Sequence, residues 1–211
     1  MIASLIFNEH ELIQNLRAQF GDEIKLIDCG STIPVEGAYK RYEDNLLWTG
    51  NWQRFLMELD PKEYPYVWMV NSDVEGLRAR YFETITSCFN KLDFMGTYAF
   101  NSPHYLFHKQ TGCSIRFAKW VDMTAPIINL AKFQELGGFD LRLKGYGADV
   151  DLCYRARQKG YTAFIDDSIR FHHIGGYTVN KNNTHEQSNA EEMYRLLCEK
   201  WGVNHWTELC Q

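Results

Sequence analysis

Apolar positions fall in short blocks along the first half of the chain. Ile2 to Phe7 is an apolar run closed by Asn8, Glu9 and His10, the layout of a buried strand. Leu12, Ile13, Leu16 and Phe20 follow at helical spacing. Ile24 to Ile27 predicts a second strand, broken by Asp28-Cys29-Gly30-Ser31-Thr32, and Tyr66 to Val70 a third, broken by Asn71-Ser72-Asp73. Leu77, Tyr81, Ile85 and Phe89 recur at four-residue steps and predict a helix face, and Phe94 to Phe100 reads as a further strand. Alternating strands and helices mark a mostly parallel, Rossmann-like sheet with flanking helices. Open sheets of this kind bind ligands beyond the carboxyl ends of their strands, where the loops after Ile27 and Val70 lie.

The second half is less regular. Ser102 to Lys119 reads as a loop or hairpin, and Asp122 to Asn129 as a strand weakened by Pro126. Ala131 to Leu136 predicts a short helix and Asp149 to Lys159 a stronger one, ended by Gly160 in the C-cap position. Thr162 to Ile165 and Ile169 to Phe171 read as two short strands, Gly175 to Asn189 as a mobile polar loop, and Glu191 to Trp201 as a closing helix.

Composition narrows the class without naming a reaction. A chain of 211 residues fits a single domain with one sizeable core. A hydrophobic fraction of 45% and a charged fraction of 23% are ordinary for a globular protein, and a net charge of -5 gives no electrostatic footprint for nucleic acid. No run reaches the roughly 18 apolar residues of a membrane span. The first apolar run is cut short by Asn8, Glu9 and His10, unlike a signal peptide. The six cysteines are irregularly spaced with no CxxC pair, which predicts free thiols and a cytoplasmic, reducing compartment.

Four places could carry chemistry. Asp28 and Ser31 follow a strand, where a carboxylate either shapes a turn or accepts hydrogen bonds from a planar base. In Asn71-Ser72-Asp73-Val74-Glu75, acidic groups follow a buried strand, and Mg²⁺ or Mn²⁺ favours such oxygen ligands together with phosphates and water. Asp149 and Asp151 open a helix, where Asp suits both the cap and the positive dipole end. At that spacing they cannot share one face, so one can meet a cleft while the other pairs with Arg155. His172 and His173 follow a short strand, and an imidazole can complete a metal shell. For Trp48 and Trp52, core packing is the default reading.

The stretch Leu136-Gly137-Gly138-Phe139-Asp140, Gly145-Tyr146-Gly147-Ala148-Asp149-Val150-Asp151-Leu152, Gly160-Tyr161 and Phe171-His172-His173-Ile174-Gly175-Gly176 resembles the acceptor half of family-2-like glycosyltransferases with the GT-A fold. In overall look the chain is similar to compact modules of that family encoded by chlorella viruses, which implies the host cytoplasm. The resemblance implies one α/β domain over residues 1–211, with a smaller acceptor-side sheet. Residues from 1 to about 100 would bind the nucleotide-sugar, and those from about 101 to 211 would hold the acceptor and the catalytic group. It implies transfer of a hexose from a UDP-sugar to a glycan hydroxyl, with inversion, and leaves fusion to further domains open. Asp149 falls where the family has its catalytic base, although Ala148 replaces the usual Glu before it. Asn71-Ser72-Asp73 falls at its Asp-x-Asp motif, with Asp73 the Mn²⁺ or Mg²⁺ ligand and Asn71 on the ribose or a metal-bound water. Asp28 and Ser31 fall at its uracil and ribose loop, Trp48 lies near the donor, and His173 or His172 falls at a metal or diphosphate ligand. In this frame an ordinary carboxylate pKa of about 4 serves Asp149, kept ionised by the helix dipole.

Three rivals share features with this reading. A retaining glycosyltransferase would use the same fold. A sugar nucleotidyltransferase needs a Gly-rich basic loop after the first strand, where this chain has Asn8-Glu9-His10. A carbohydrate-binding module needs neither the acidic loop nor Asp149.

Overall fold

A computed structural model describes residues 1–87, 94–101, 115–175, 177 and 186–210, with side chains left out at 98–101 and 186–189. Among the described residues nine strands form one mixed sheet: β1 (Ile2–Ile6), β2 (Ile24–Cys29), β3 (Lys40–Tyr42), β4 (Tyr66–Met69), β5 (Val74–Glu75), β6 (Met95–Asn101), β7 (Ile115–Ala118), β8 (Ile127–Asn129) and β9 (Ala163–His173). Helices α1 (His10–Phe20), α2 (Leu47–Glu58), α3 (Tyr81–Thr86), α4 (Leu130–Glu135), α5 (Ala148–Gln158) and α6 (Glu186–Trp201) flank it. The expected α/β sheet with flanking helices is therefore present.

The order is β3-β2-β1-β4-β8-β6-β9-β5, with β7 also on β9. From β3 to β4 every pairing is parallel. Beyond β4 the sheet is mixed, because β8 runs antiparallel to both β4 and β6. The smaller sheet expected beside the main one is instead continuous with it. It consists of β7 and β5, which pair with opposite ends of the 11-residue β9.

Strand alternation buries both sheet faces. Ile2, Ile6, Ile24 and Leu26 point to one side, where Leu16 and Phe20 of α1 and Ile85 of α3 meet them. Ala3, Ile27 and Cys29 point to the other, under Trp52 and Phe55 of α2, Phe133 of α4 and Leu197 of α6. Trp68 centres the first side, 5.4 Å edge-on to Phe20 and 6.1 Å stacked on Phe82, with its indole N–H donating to the Ala125 carbonyl at 2.9 Å.

The closing helix begins at Glu186, inside the expected polar loop, the helix expected from Leu77 starts at Tyr81, and two strand expectations change. The two short strands of the last third are the single strand β9. Its register against β6 slips between Tyr98, opposite Asp166, and Ala99, opposite Arg170, so Asp167, Ser168 and Ile169 fall at a bulge. The strand expected over Asp122 to Asn129 is reduced to β8, because Asp122 turns the chain by accepting the Thr124 N–H at 2.8 Å. Among the described residues, no helix is long and apolar enough to cross a membrane.

Candidate active site

The loop after β4 is tied down on three sides. The Asn71 N–H donates to the Thr124 carbonyl at 2.9 Å. The Trp48 indole N–H donates to Asn71 Oδ1 at 3.1 Å, and the Ser72 hydroxyl donates to Glu9 Oε2 at 2.6 Å. The chain then enters β5, whose Val74 and Glu75 face His173 and His172 across an antiparallel pair.

That register separates the two histidines, since neighbouring strand residues point to opposite faces. His173 turns inward and is buried, with Nε2 3.2 Å from Asp73 Oδ1. His172 and Glu75 are exposed. Asp73 Oδ2 accepts the Gly175 N–H at 3.1 Å, and the Asp73 carbonyl accepts the Ile174 N–H at 3.1 Å. Burial pushes the Asp73 pKa up, but the His173 hydrogen bond, its charge and the Gly175 N–H outweigh burial and hold the carboxyl below its usual range. A carboxylate oxygen and an imidazole nitrogen thus converge in a buried corner, a donor pair that fits Mn²⁺ or Mg²⁺. Among the described residues no group of three or more His, Cys, Asp or Glu forms a metal cage.

Asp28 and Ser31 sit in the loop after β2, knitted to the loop after β1. Asp28 is fully buried. Its oxygens accept the Ser31 N–H at 2.9 Å and the Val35 N–H at 3.0 Å, and it pairs with Arg41. Burial raises the Asp28 pKa, and the Val35 and Ser31 amides with Arg41 more than reverse that. Ser31 Oγ accepts the Asn8 N–H at 3.0 Å, and Asn8 Oδ1 accepts the Thr32 N–H at 2.9 Å. The carboxylate thus shapes this loop, with both oxygens turned into the protein. Trp48 lies in the first turn of α2, half-buried, with its ring 5.4 Å from that of Phe139.

Asp149 lies in the first turn of α5. The helix is entered through Gly147 at φ 77, and a Cβ there would come within 3.1 Å of the Leu197 side chain. Asp149 Oδ2 accepts the Trp120 indole N–H at 2.7 Å, and Oδ1 accepts the Val150 N–H at 2.9 Å. Burial, and next the negative charge of Asp122, push its pKa up to about 7 against the two hydrogen bonds. The expectation of an ordinary carboxylate near 4 is corrected: a half-turn of helix dipole does not offset lost water and a like charge.

Asp151, as the spacing implied, turns the other way. It is fully buried, accepting Arg155 Nε at 2.8 Å, Lys200 Nζ at 2.6 Å and the Trp201 indole N–H at 2.9 Å. The other Arg155 nitrogens donate to the carbonyls of Leu136 at 2.7 Å and Gly138 at 2.6 Å. One carboxylate therefore fastens α5, α6 and the Gly137-Gly138 turn together. We expect Asp151→Ala to cost roughly 3–5 kcal/mol in urea unfolding, since removing one partner strands the buried charges of the others. A cost below about 1 kcal/mol, the value of an exposed pair, would refute this role.

The sequence reading missed Trp120, Asp122, Thr124 and Glu9. Asp122 and Thr124 spaced two apart shortly before Pro126 are turn chemistry, the available signal. Lys181, Asn182 and Asn183, considered for closing over a diphosphate, lie outside the described residues.

No protein-family model and no curated protein matches the sequence. Solved structures do. GalNAc-T7 in complex with UDP, GalNAc and Mn²⁺ aligns with TM-score 0.65 at 12% identity, over 82% of this chain and 42% of that one. TarS from S. aureus in complex with UDP-GlcNAc aligns with TM-score 0.64 at 12% identity, over 93% and 64%. The mannosyltransferase PcManGT from Pyrobaculum calidifontis, with GDP-Man and Mn²⁺, gives 0.58 at 12%, over 85% and 59%. The chain has the GT-A fold. On that fold, the carboxyl ends of β1, β2 and β4 carry the Asn8, Ser31 and Asp73 loops, while Asp149 comes from the first turn of α5. The chain spans less than half the length of GalNAc-T7 and under two thirds of TarS and PcManGT.

Proposed function

We propose that this chain is a divalent-metal-dependent glycosyltransferase of the family-2-like type. It would be a single domain with a donor half up to about residue 100 and an acceptor half beyond. It would move a hexose from a UDP-sugar to a glycan hydroxyl with inversion. One observation carries the reading: a buried Asp–His pair and a carboxylate of raised pKa are joined by one short segment. Trp120 holds Asp149, and Thr124 reaches His173 at 3.3 Å. Four residues of extended chain span at most about 14 Å between their Cα atoms, so the two contacts are anchored close together on one segment.

Asp73 and His173 would hold Mn²⁺ or Mg²⁺ on the donor diphosphate, where the cation would stabilise the charge of the leaving group. Asn71 and Trp48, bonded to each other, would border the ribose. Asp28 would support the base indirectly, by fixing the Ser31 loop. Asp149 accepts the proton of the acceptor hydroxyl while that oxygen bonds to the anomeric carbon and the diphosphate departs. A base whose pKa lies near the working pH suits this role. The four described cysteines are free thiols, which supports a reducing, cytosol-like compartment.

Thermal unfolding with UDP-, GDP- and dTDP-sugars, each with and without Mn²⁺, tests the reading. A ligand at a hundred times its Kd stabilises by about 2.7 kcal/mol, which for a chain of this size raises Tm by roughly 5–10 °C. The expected result is such a rise for UDP-sugar with metal only. A panel with no metal-dependent shift overturns the proposal, and a shift confined to GDP-sugars overturns its choice of donor.

A further inference from the structure

Thr124 lies between the two halves of the proposed metal site and touches both. Its carbonyl accepts the Asn71 N–H at 2.9 Å, which sets the start of the Asp73 loop. Its hydroxyl lies 3.3 Å from Nδ1 of His173 and also donates to Asp122 Oδ1. The same Asp122 oxygen accepts the Thr124 N–H at 2.8 Å. Asp122, Thr124 and His173 are all buried.

Proton accounting gives this chain a direction. A threonine hydroxyl has one hydrogen and two lone pairs. A carboxylate is the stronger acceptor, because a bond to an ionised partner is roughly twice as strong as a neutral one. The hydroxyl hydrogen therefore goes to Asp122, and toward His173 the same oxygen can only accept. Nδ1 must then carry the ring proton. Nε2, the nitrogen beside Asp73 Oδ1, hydrogen-bonds that carboxylate in the metal-free chain, and its lone pair is the one a cation would take in place of that hydrogen. With the nitrogen and the carboxylate oxygen 3.2 Å apart, a cation that displaces the shared hydrogen meets both atoms.

We propose that Asp122 and Thr124 are positioning residues that hold His173 by its Nδ1–H, so that Nε2 is presented next to Asp73 as a metal-binding nitrogen. The role rests on the reading of Asp73 and His173 as the metal pair, and extends it to a carboxylate–hydroxyl–imidazole relay on a segment outside the motif. Partners that orient a ligating histidine typically change metal affinity about 10- to 100-fold when removed.

The test uses the purified chain, with Mg²⁺ and UDP as probes. Thr124→Val keeps the shape and both backbone hydrogen bonds but removes the hydroxyl, and Thr124→Ser restores it. Calorimetry should show metal-dependent UDP binding weakened about 10- to 100-fold in Thr124→Val and recovered in Thr124→Ser, with Tm checked for all three proteins. In the Mg²⁺–UDP complex, the His173 Nδ1–H should give a slowly exchanging ring-proton signal in ¹⁵N-histidine NMR, present in wild type and Thr124→Ser and lost in Thr124→Val. Wild-type affinity and an unchanged ring signal in Thr124→Val overturn the relay while leaving the metal pair standing. Weakening that Thr124→Ser does not recover also overturns it. A wild-type chain that takes up no Mg²⁺ with UDP overturns the metal pair, and the relay with it.

Discussion

Asp149→Asn should lose about 10²- to 10⁴-fold in turnover, the usual contribution of a positioned base, with UDP-sugar affinity unchanged. The side chain keeps its size, and the amide oxygen can still accept from Trp120 or Val150, but no proton can be taken from the acceptor. The pH dependence checks the same assignment twice. The Asp149 pKa is raised from the ordinary 3.8 to about 7 by burial and by Asp122, so wild-type kcat should fall on the acid side of about pH 7. Stability runs the other way. The folded chain holds this proton more tightly than the unfolded chain does. The contribution of Asp149 to stability is therefore present below about pH 4, the unfolded value, and is lost as pH rises through the folded value near 7. Asn at this position does not titrate, so the Tm of Asp149→Asn minus that of wild type should increase from pH 4 to pH 8. A variant that retains turnover within about tenfold refutes the base, and so does a Tm difference that is flat across that range. Retention of the anomeric configuration, read by NMR coupling in the product, would instead make Asp149 a stabilising group in a retaining reaction.

Asp73→Ala should abolish metal-dependent binding of the UDP-sugar, and His173→Ala should weaken it far more than His172→Ala does. The geometry sets the order. Asp73 and His173 meet at 3.2 Å, whereas His172 projects from the opposite face of β9 into solvent. Asp73→Asn is the companion variant, since its amide oxygen can still accept the Gly175 N–H and hold the loop. Calorimetry with Mn²⁺ decides the matter. Unchanged affinity in both Asp73 variants, with metal still required, would remove Asp73 from the site. A larger loss in His172→Ala would place the ligand on the other face.

The strands were readable from the chain wherever both sheet faces are buried, because β1, β2 and β4 then appear as apolar runs closed by polar loops. Loop positions followed directly, among them the Asn71-Ser72-Asp73 loop after β4. Partnerships across the sequence were not readable. The choice between His172 and His173 depends on the pairing of Val74 with His173, set by a two-residue strand too short to leave a periodic signal. Asp28 is satisfied by Arg41, on a strand whose sequence Lys40-Arg41-Tyr42 has no apolar alternation. The pKa of Asp149 depends on Asp122, in a turn disguised as the start of a strand. β9 looked like two strands because Asp166-Asp167-Ser168 interrupts its apolar pattern. Those acidic groups are tolerated inside because Arg116 of β7 reaches Asp167 at 3.2 Å and Ser168 N–H bonds Asp166 at 2.8 Å.

The fastening of α6 through Asp151 sets a boundary for anyone cutting or grafting this domain. Lys200 and Trp201 supply two of the donors to that carboxylate, and Lys200 also reaches Asp140 at 2.9 Å. A stop codon placed before Lys200 would remove both and leave Arg155, of the three donors named, to hold the buried carboxylate beneath the helix that carries Asp149. The shortest portable unit therefore ends no earlier than Trp201, and a partner domain fused downstream must leave the last turn of α6 free to dock.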